Sequence, residues 1–415
     1  MNALGQNSPD HNERKSRYKI WQNRDFALLW SGQAMSNAGS AISGVAFPLL
    51  VLSLTNSPAQ AGFVGALGAI PYLVTSLPAG VLIDRWNRKR LMALCDLIRC
   101  LNLAAIALAL SLSKLVVAQL YAASLIEGTL YTLFNISQVA SLSRVVDRDQ
   151  VAEAYALNQL AGRTSTLLGP SIGGFLYGVQ RFLPFIVDSL SYLISSISIL
   201  YVRSDLQSER TLPSKPFIRE IGDGFFWLWH NPLLRFQAIL GGGLNFVLSA
   251  NPLLVVLLAK QQHASPAQIG LIFSLGGLGG ICGSMVSRRI QRSLTFTQAM
   301  LGLLWLLPGV WALYMVSSSY LFLGIVSAGL SFVDPILSVV NVGYRLALTP
   351  DELQGRVNSV HRFFSFGLRP LGSGLLGIMW QFYGPKPTIV FFNIVLILLA
   401  SSASLNRHVR NAPQL

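Results

Sequence analysis

Charge is scarce in this chain. Only 12% of its 415 residues are Asp, Glu, Lys or Arg and 52% are hydrophobic, whereas charged residues make up about a quarter of a soluble domain. One soluble core is therefore excluded, and apolar runs long enough to span a bilayer recur along nearly the whole length, the pattern of a polytopic membrane protein. Acids are scarcer than bases, 17 against 31, which leaves a formal net charge of +14. Those bases sit in short clusters beside apolar runs, so they face a membrane surface and not a nucleic acid. Cysteine is nearly absent: Cys95, Cys100 and Cys282 all fall inside apolar runs without metal-ligand spacing, which assigns them to packing. There is no Gly-x-x-x-x-Gly-Lys loop, metal-ligand cluster or nucleophile elbow, so ATP drive, a metal, a cofactor and enzymatic catalysis are not expected. The first 25 residues lack the apolar core and cleavage site of a signal peptide. With Arg14, Lys15, Arg17, Lys19 and Arg24 they read as a retained cytoplasmic tail.

About 20 helical residues cross a hydrocarbon core, and that length places twelve spans. They run over Phe26 to Leu54, Ala61 to Ile83, Leu91 to Leu112, Val116 to Ser143, Tyr155 to Gly178 and Leu183 to Val202 in a first half. The second half holds Leu234 to Ala259, Ala267 to Ser287, Thr297 to Val316, Tyr320 to Leu348, Val357 to Trp380 and Thr388 to Leu405. If the amino terminus lies inside, the outer connections carry only Lys114, Arg181, Lys260 and Lys386, and the positive-inside rule puts both termini in the cytoplasm. The expected organisation is a tail over 1–25, a six-helix bundle over 26–203, a central loop over 204–233, a second bundle over 234–405 and a tail over 406–415. Within the central loop, Ile218 to Trp229 is amphipathic, with Phe225, Phe226, Trp227 and Trp229 beside Arg219, and is expected to lie at the membrane interface.

The second and third spans are joined by Gly80-Val81-Leu82-Ile83-Asp84-Arg85-Trp86-Asn87-Arg88-Lys89-Arg90, a tight aqueous hairpin. Gly80, Asp84, Arg85, Arg88 and Lys89 supply the pattern Gly-x-x-x-Asp-Arg-x-x-Arg-Lys, which resembles the signature loop of the major facilitator superfamily of secondary transporters. Asn87 stands where many members have glycine. The openings Asn23-Arg24-Asp25-Phe26 with Leu29-Trp30-Ser31-Gly32-Gln33, and Trp229-His230-Asn231-Pro232-Leu233-Leu234-Arg235, resemble the macrolide-efflux-like branch. The resemblance implies two pseudo-symmetric six-helix bundles, all α-helical, working by alternating access in a bacterial plasma or inner membrane, as a monomer. Two internal echoes agree with a duplicated half: Ser57-Pro58-Ala59-Gln60-x-Gly62 recurs as Ser265-Pro266-Ala267-Gln268-x-Gly270, and Gly283 to Arg292 repeats the signature loop with Ser287 replacing the acid. In span five, Ser165 followed by Gly169, Pro170, Gly173 and Gly174 resembles a motif of proton-coupled drug exporters; as chemistry, it is a small-residue face with a bend. The span-four arginine that many such exporters carry is absent.

Ionisable residues inside spans are costly and usually face the bundle interior or a water-filled path. Asp96 and Arg99, three apart near the inner end of span three, are expected to pair and to support the signature loop as a conformational latch. Within the same latch, Asp84 is expected to meet the amino-terminal end of span eleven, near Asn358 to His361. Asp188 lies near an outer end, within reach of water. Glu127 and Asp334 stand near the midplane of spans four and ten, with Arg163 and Arg369 at comparable depth, and the two acids are the proton-coupling candidates, Glu127 first. Arg345 and Arg369 are expected to hold Asp334 ionised. Polar stripes at helical spacing are Gln33, Asn37 and Ser40; Glu127, Tyr131 and Asn135; Asn245 and Asn251; Asp334, Ser338, Asn341 and Arg345. On the spans that the resemblance assigns to the central cavity, Gln33, Asn37, Tyr131, Asn135, Asn245, Asn341 and Arg369 are substrate-cavity candidates; hydrogen bonding between helices is the other reading of each. The expected function is export of an amphiphilic small molecule, drug or macrolide-like, by proton antiport, with export of an endogenous siderophore or secondary metabolite as the alternative. Flipping of lysophospholipid and a non-transporting receptor stand as further classes.

Overall fold

The computed structural model describes residues 20–147, 149–207, 217–350 and 353–411, and among these the regular elements are all helices. A chain this apolar can satisfy its backbone in lipid only within its own helices. In order they are α1 (Arg24–Thr55), α2 (Pro58–Arg85), α3 (Arg88–Ser111), α4 (Val117–Val145), α5 (Val151–Val179), α6 (Leu183–Tyr201), α7 (Phe217–His230), α8 (Pro232–Gln261), α9 (Pro266–Ser293), α10 (Phe296–Ala312, continued by a 3-10 turn to Val316), α11 (Tyr320–Leu348), α12 (Gln354–Gly367), α13 (Arg369–Tyr383), α14 (Pro385–Leu405) and the short α15 (Arg407–Arg410). Eight of them, α1, α3, α6, α8, α9, α10 with its turn, α11 and α14, are long and apolar enough to cross a membrane.

Helix ends follow local chemistry. Asn23 caps α1 by accepting from the amides of Asp25 and Phe26, and Asn56 ends it in the left-handed region at φ 50°. Asn87 caps α3 by accepting from the Arg90 amide at 3.1 Å, so its place in the signature loop is that of a helix starter. The repeated Ser-Pro-Ala-Gln is a capping device as well. Ser265 and Gln268 form a reciprocal capping box at α9, and Ser57 accepts from the Gln60 amide at 3.2 Å at α2.

One expected span is broken. Pro370 removes an amide and crowds the carbonyl four residues earlier, so the segment from Val357 to Trp380 divides at Leu368 into α12 and α13. The central amphipathic helix α7 docks on α12 and α8: Leu228 is fully buried with Ala238, Val357 and Val360, Phe225 and Trp229 approach the Phe364 ring at 6.2 and 6.0 Å, and Asp223 pairs with Arg356 at 3.4 Å. An apolar face that can be buried in protein is satisfied there. The side chain of Arg219 lies outside the described residues.

Between the two sets of helices the close approaches are α2 against α13 and α5 against α9. Both crossings are backbone to backbone and both use a glycine from the repeated motif. A Cβ on Gly62 would stand 2.5 Å from the Ser373 carbonyl oxygen, and one on Gly174 would stand 2.2 Å from that of Pro266, with the Gly270 Cα 3.0 Å away. The crossings lie at the same end of the bundle, the end that the charge distribution marks as outer. A larger residue must therefore open it. In Gly174→Val, a Ser171→Cys reporter is expected to label several-fold faster with a membrane-impermeant maleimide, whereas Gly162→Val, where a Cβ meets no atom within 4 Å, leaves labelling unchanged. Equal labelling in the two folded variants would show that the glycine crossing does not hold this end shut.

Candidate translocation site

The polar centre of the first half is assembled by one arginine. Arg99, on α3, is only 4% exposed; its Nε donates to Glu127 Oε2 on α4 at 2.9 Å, its Nη1 stands 3.5 Å from Asp96 Oδ1, and its Nη2 donates to the Tyr192 hydroxyl of α6. The guanidinium lies 3.9 Å from the centroid of the Tyr192 ring and 5.7 Å from that of Tyr131. Asn102, one turn further along α3, donates to the other carboxylate oxygen of Glu127 at 3.1 Å. Tyr192 is hydrogen-bonded to Ser40 of α1 at 2.9 Å, and Ser43, one turn on, donates to Asp188 Oδ2 of α6 at 2.5 Å. Three helical pairs at i, i+3 or i, i+4 spacing thus converge on one point: Ser40 and Ser43, Glu127 and Tyr131, Asp188 and Tyr192. They border a cavity of about 250 Å³ whose wall includes Ser40, Phe47, Arg99, Glu127, Tyr131 and Tyr192.

Two expectations are corrected here. Arg99 is not near the inner surface: eleven residues into α3 it lies about 17 Å from the helix start by the helical rise, and besides pairing with Asp96 it holds Glu127. Asp188 is not reached by water; it is fully buried and bound by Ser43 and Ser191. A helix whose end is exposed can still turn one face wholly into its neighbours, and the run Asp188, Ser191, Tyr192, Ser195 marked that face in the sequence. Neither Tyr192 nor Asn102 was singled out there.

The second half is not a mirror of this arrangement. Asp334 is exposed, and the cations whose charge reaches it are Arg369 of α13 and Arg163 of α5. Arg345, expected beside it, donates instead to Asn358 Oδ1 at 2.9 Å and contacts the His361 ring at 3.1 Å. Asn358 and His361 are thus occupied by α11. The side chains of Gly80, Asp84 and Arg85 lie outside the described residues. Arg88 and Lys89 hold the first half together: Arg88 Nη1 donates to the carbonyls of Ala140 at 3.3 Å and Leu206 at 3.4 Å, and Lys89 Nζ to that of Val202 at 2.6 Å.

Among the cavity candidates, Tyr131 is half exposed, while Asn37, Asn135 and Asn341 are half-buried. Gln33 is buried, and its carbonyl oxygen, like that of Asn341, has no hydrogen-bond partner. Asn245 bonds back to the Gly241 carbonyl at 2.9 Å, and Asn251 turns towards α10, accepting from Tyr314 at 2.8 Å. In α5, Gly169 and Gly173 pack on Ala41 and Ile42 of α1, while Gly174 and the Pro170 carbonyl meet Gly270 of α9, so one motif serves two helix faces.

Comparison with known proteins gives a consistent result. The sequence profile of the Major Facilitator Superfamily matches residues 29–373. The enterobactin exporter EntS of Escherichia coli O1:K1 is 25% identical over 404 residues, covering 94% of each chain, and that of Citrobacter koseri is 24% identical over 391 residues, 90% of this chain and 89% of the relative. Among solved structures, a bacterial homologue of the human lysosomal transporter Spinster superposes with a TM-score of 0.72 at 12% identity, over 92% of this chain and 96% of that one. A bacterial homologue of the iron transporter ferroportin gives 0.64 at 16% identity, over 91% and 99%. Both of those structures are inward-facing. The chain is therefore a multi-pass membrane transporter and not an enzyme, and it belongs to the Major Facilitator Superfamily.

Proposed function

We propose that this chain exports an endogenous siderophore or a related secondary metabolite, driven by protons that return through the Glu127–Arg99 cluster. The observation that carries the reading is a titratable carboxylate at the wall of a cavity, bound by a buried arginine that three helices share. The likeness to enterobactin exporters over 94% of both chains supports the substrate class. Twelve spans arise when α2, α4, α5 and the α12–α13 pair are added to the eight most apolar helices. Glu127 is satisfied by Arg99 and Asn102. A proton arriving on Glu127 removes the charge that Arg99 holds, and the guanidinium is released to Asp96 and Tyr192. α3 and α4 are then no longer tied by an ion pair, which lowers the barrier to rearrangement. Export of a drug or macrolide-like amphiphile is the second reading, favoured by the exposed Tyr131 ring beside Phe47 at the cavity.

Proteoliposomes with an imposed proton gradient test both. With enterobactin as first probe and erythromycin as second, substrate and proton fluxes are recorded together. Enterobactin transport with stoichiometric counterflow of protons is expected. Transport of erythromycin alone moves the assignment to drug efflux, and substrate flux indifferent to the gradient refutes the coupling.

A further inference from the structure

Outside the Glu127 cluster, one group of charges has no structural employment. Arg362 and Arg369 are both exposed, yet among the described residues no carboxylate lies within ion-pair distance of either, nor of Arg163. By the helical rise, Arg369 stands about 22 Å from the start of α12 and Arg362 about 12 Å, depths at which a cation in a spanning segment is costly unless it faces a water-filled path or a partner. Both guanidinium groups are placed on the ring of Phe366. Arg369 lies 4.9 Å and Arg362 5.9 Å from its centroid, and Arg362 also donates to Tyr72 Oη of α2 at 2.5 Å, with the Tyr72 ring meeting Phe366 edge-on at 5.6 Å. The spacing 362, 366 and 369 puts all three on one helical face, and the break at Leu368 brings Arg369 to the start of α13. Ring contact fixes the guanidinium planes while leaving N–H edges for an acceptor. The charges of Arg369 and of Arg163 on α5 both reach the exposed Asp334, one acid against two cations.

We propose that Arg362 and Arg369, flanking the ring of Phe366, form a clamp that binds the acidic, ring-bearing part of the transported molecule. The inference rests on the transport reading and narrows it to aromatic anions. Packing alone accounts for Phe366 and Tyr72, but not for two exposed forked cations with no carboxylate within ion-pair distance among the described residues. A guanidinium already stacked loses little freedom on binding a carboxylate, sulfonate or phenolate, and the ring offers a face to an aromatic substituent.

Equilibrium binding to the purified full chain tests this independently of transport. The probes are naphthalene-2-sulfonate, its charge-reversed counterpart 2-naphthylmethylammonium, and methanesulfonate. The aryl sulfonate is expected to bind at least about tenfold more tightly than either of the others, the forked charge-assisted contact supplying the margin over the ammonium and ring contact the margin over methanesulfonate. Arg369→Ala should weaken it by about fivefold to tenfold and Arg369→Lys by less, since lysine keeps the charge and loses the fork. Arg362→Gln, which retains a donor to Tyr72, should weaken it similarly, and Phe366→Leu should erase the advantage over methanesulfonate. Equal or tighter binding of the ammonium probe to wild type overturns the proposal, as does unchanged sulfonate affinity in folded Arg362→Gln and Arg369→Lys. A chain that binds the sulfonate but moves no substrate counts against the export reading alone. One that exports only cationic amphiphiles counts against the clamp alone.

Discussion

Glu127→Gln is expected to abolish export against a gradient while leaving substrate binding and energy-independent exchange nearly intact. The amide has the shape of the carboxylate and can keep the Asn102 contact, so the cavity wall is preserved. What disappears is the group proposed to change charge. In the wild type the carboxylate is bound by Arg99 at 2.9 Å and is partly open to the cavity at 18% exposure, so a proton can reach it without unfolding the cluster. Losing a positioned proton carrier is felt on the scale of about a hundredfold or more, and uphill flux should fall by that amount, whereas exchange should change by no more than about threefold. The pH dependence of flux should flatten in the same variant, because Asp96 and Asp188 are fully buried and Asp334 stands among cations. Should the variant concentrate substrate with an unchanged pH profile, the proton is carried elsewhere. The next group to change is then Asp188, bound by Ser43 and fully buried, and not Asp334, which stands exposed among cations.

How far the sequence reached depended on the range of the physics involved. Helix positions and caps are local, so the spans and the role of Asn23 or Ser265 could be read from neighbours along the chain. The repeated Ser-Pro-Ala-Gln-x-Gly was visible as a repeat, but its two functions were not. Its capping half is local, whereas Gly62 and Gly270 are required by Gly377 and Gly174, more than 90 positions away, which no spacing rule reveals. Glu127 was found because a carboxylate at mid-helix is costly wherever it points. Arg99 was found and misplaced: its neighbour Asp96 offered a complete local explanation at i, i+3, and nothing in α3 announced that α4 and α6 also turn towards it. Arg345 failed for the same reason, since the α11 stripe it shares with Asp334 is real but its partners lie on α12. Arg362 drew no attention because a base near an inner helix end already satisfies the positive-inside rule.

Arg99→Ala is expected to be the most damaging single change in the first half, and to act on every substrate by a similar factor. It takes from the fully buried Asp96, whose oxygens have no hydrogen-bond partner, the cation 3.5 Å away, and it frees Glu127 and Tyr192 from their shared anchor. Removing one member of a buried ion pair costs about 3–5 kcal/mol because the surviving charge is left without compensation. The thermal midpoint in detergent should drop by several degrees and transport should be lost. Because such a variant can fail simply by unfolding, Arg99→Lys carries the mechanistic weight. Lysine keeps the charge, but one ammonium cannot reach Asp96, Glu127 and Tyr192 in the fixed geometry of the fork. It should fold, bind substrate normally and export about tenfold more slowly, the equivalent of losing one well-made charge-assisted contact. A cycle with Glu127→Gln separates coupling from support. If the two groups act as one unit, the double variant Arg99→Gln with Glu127→Gln is less destabilised than the sum of the single changes by about 1–3 kcal/mol, while uphill export remains absent in all of them. Strict additivity of the stability losses, or a loss confined to anionic substrates in Arg99→Lys, would place Arg99 among the substrate contacts and leave Glu127 without its switch.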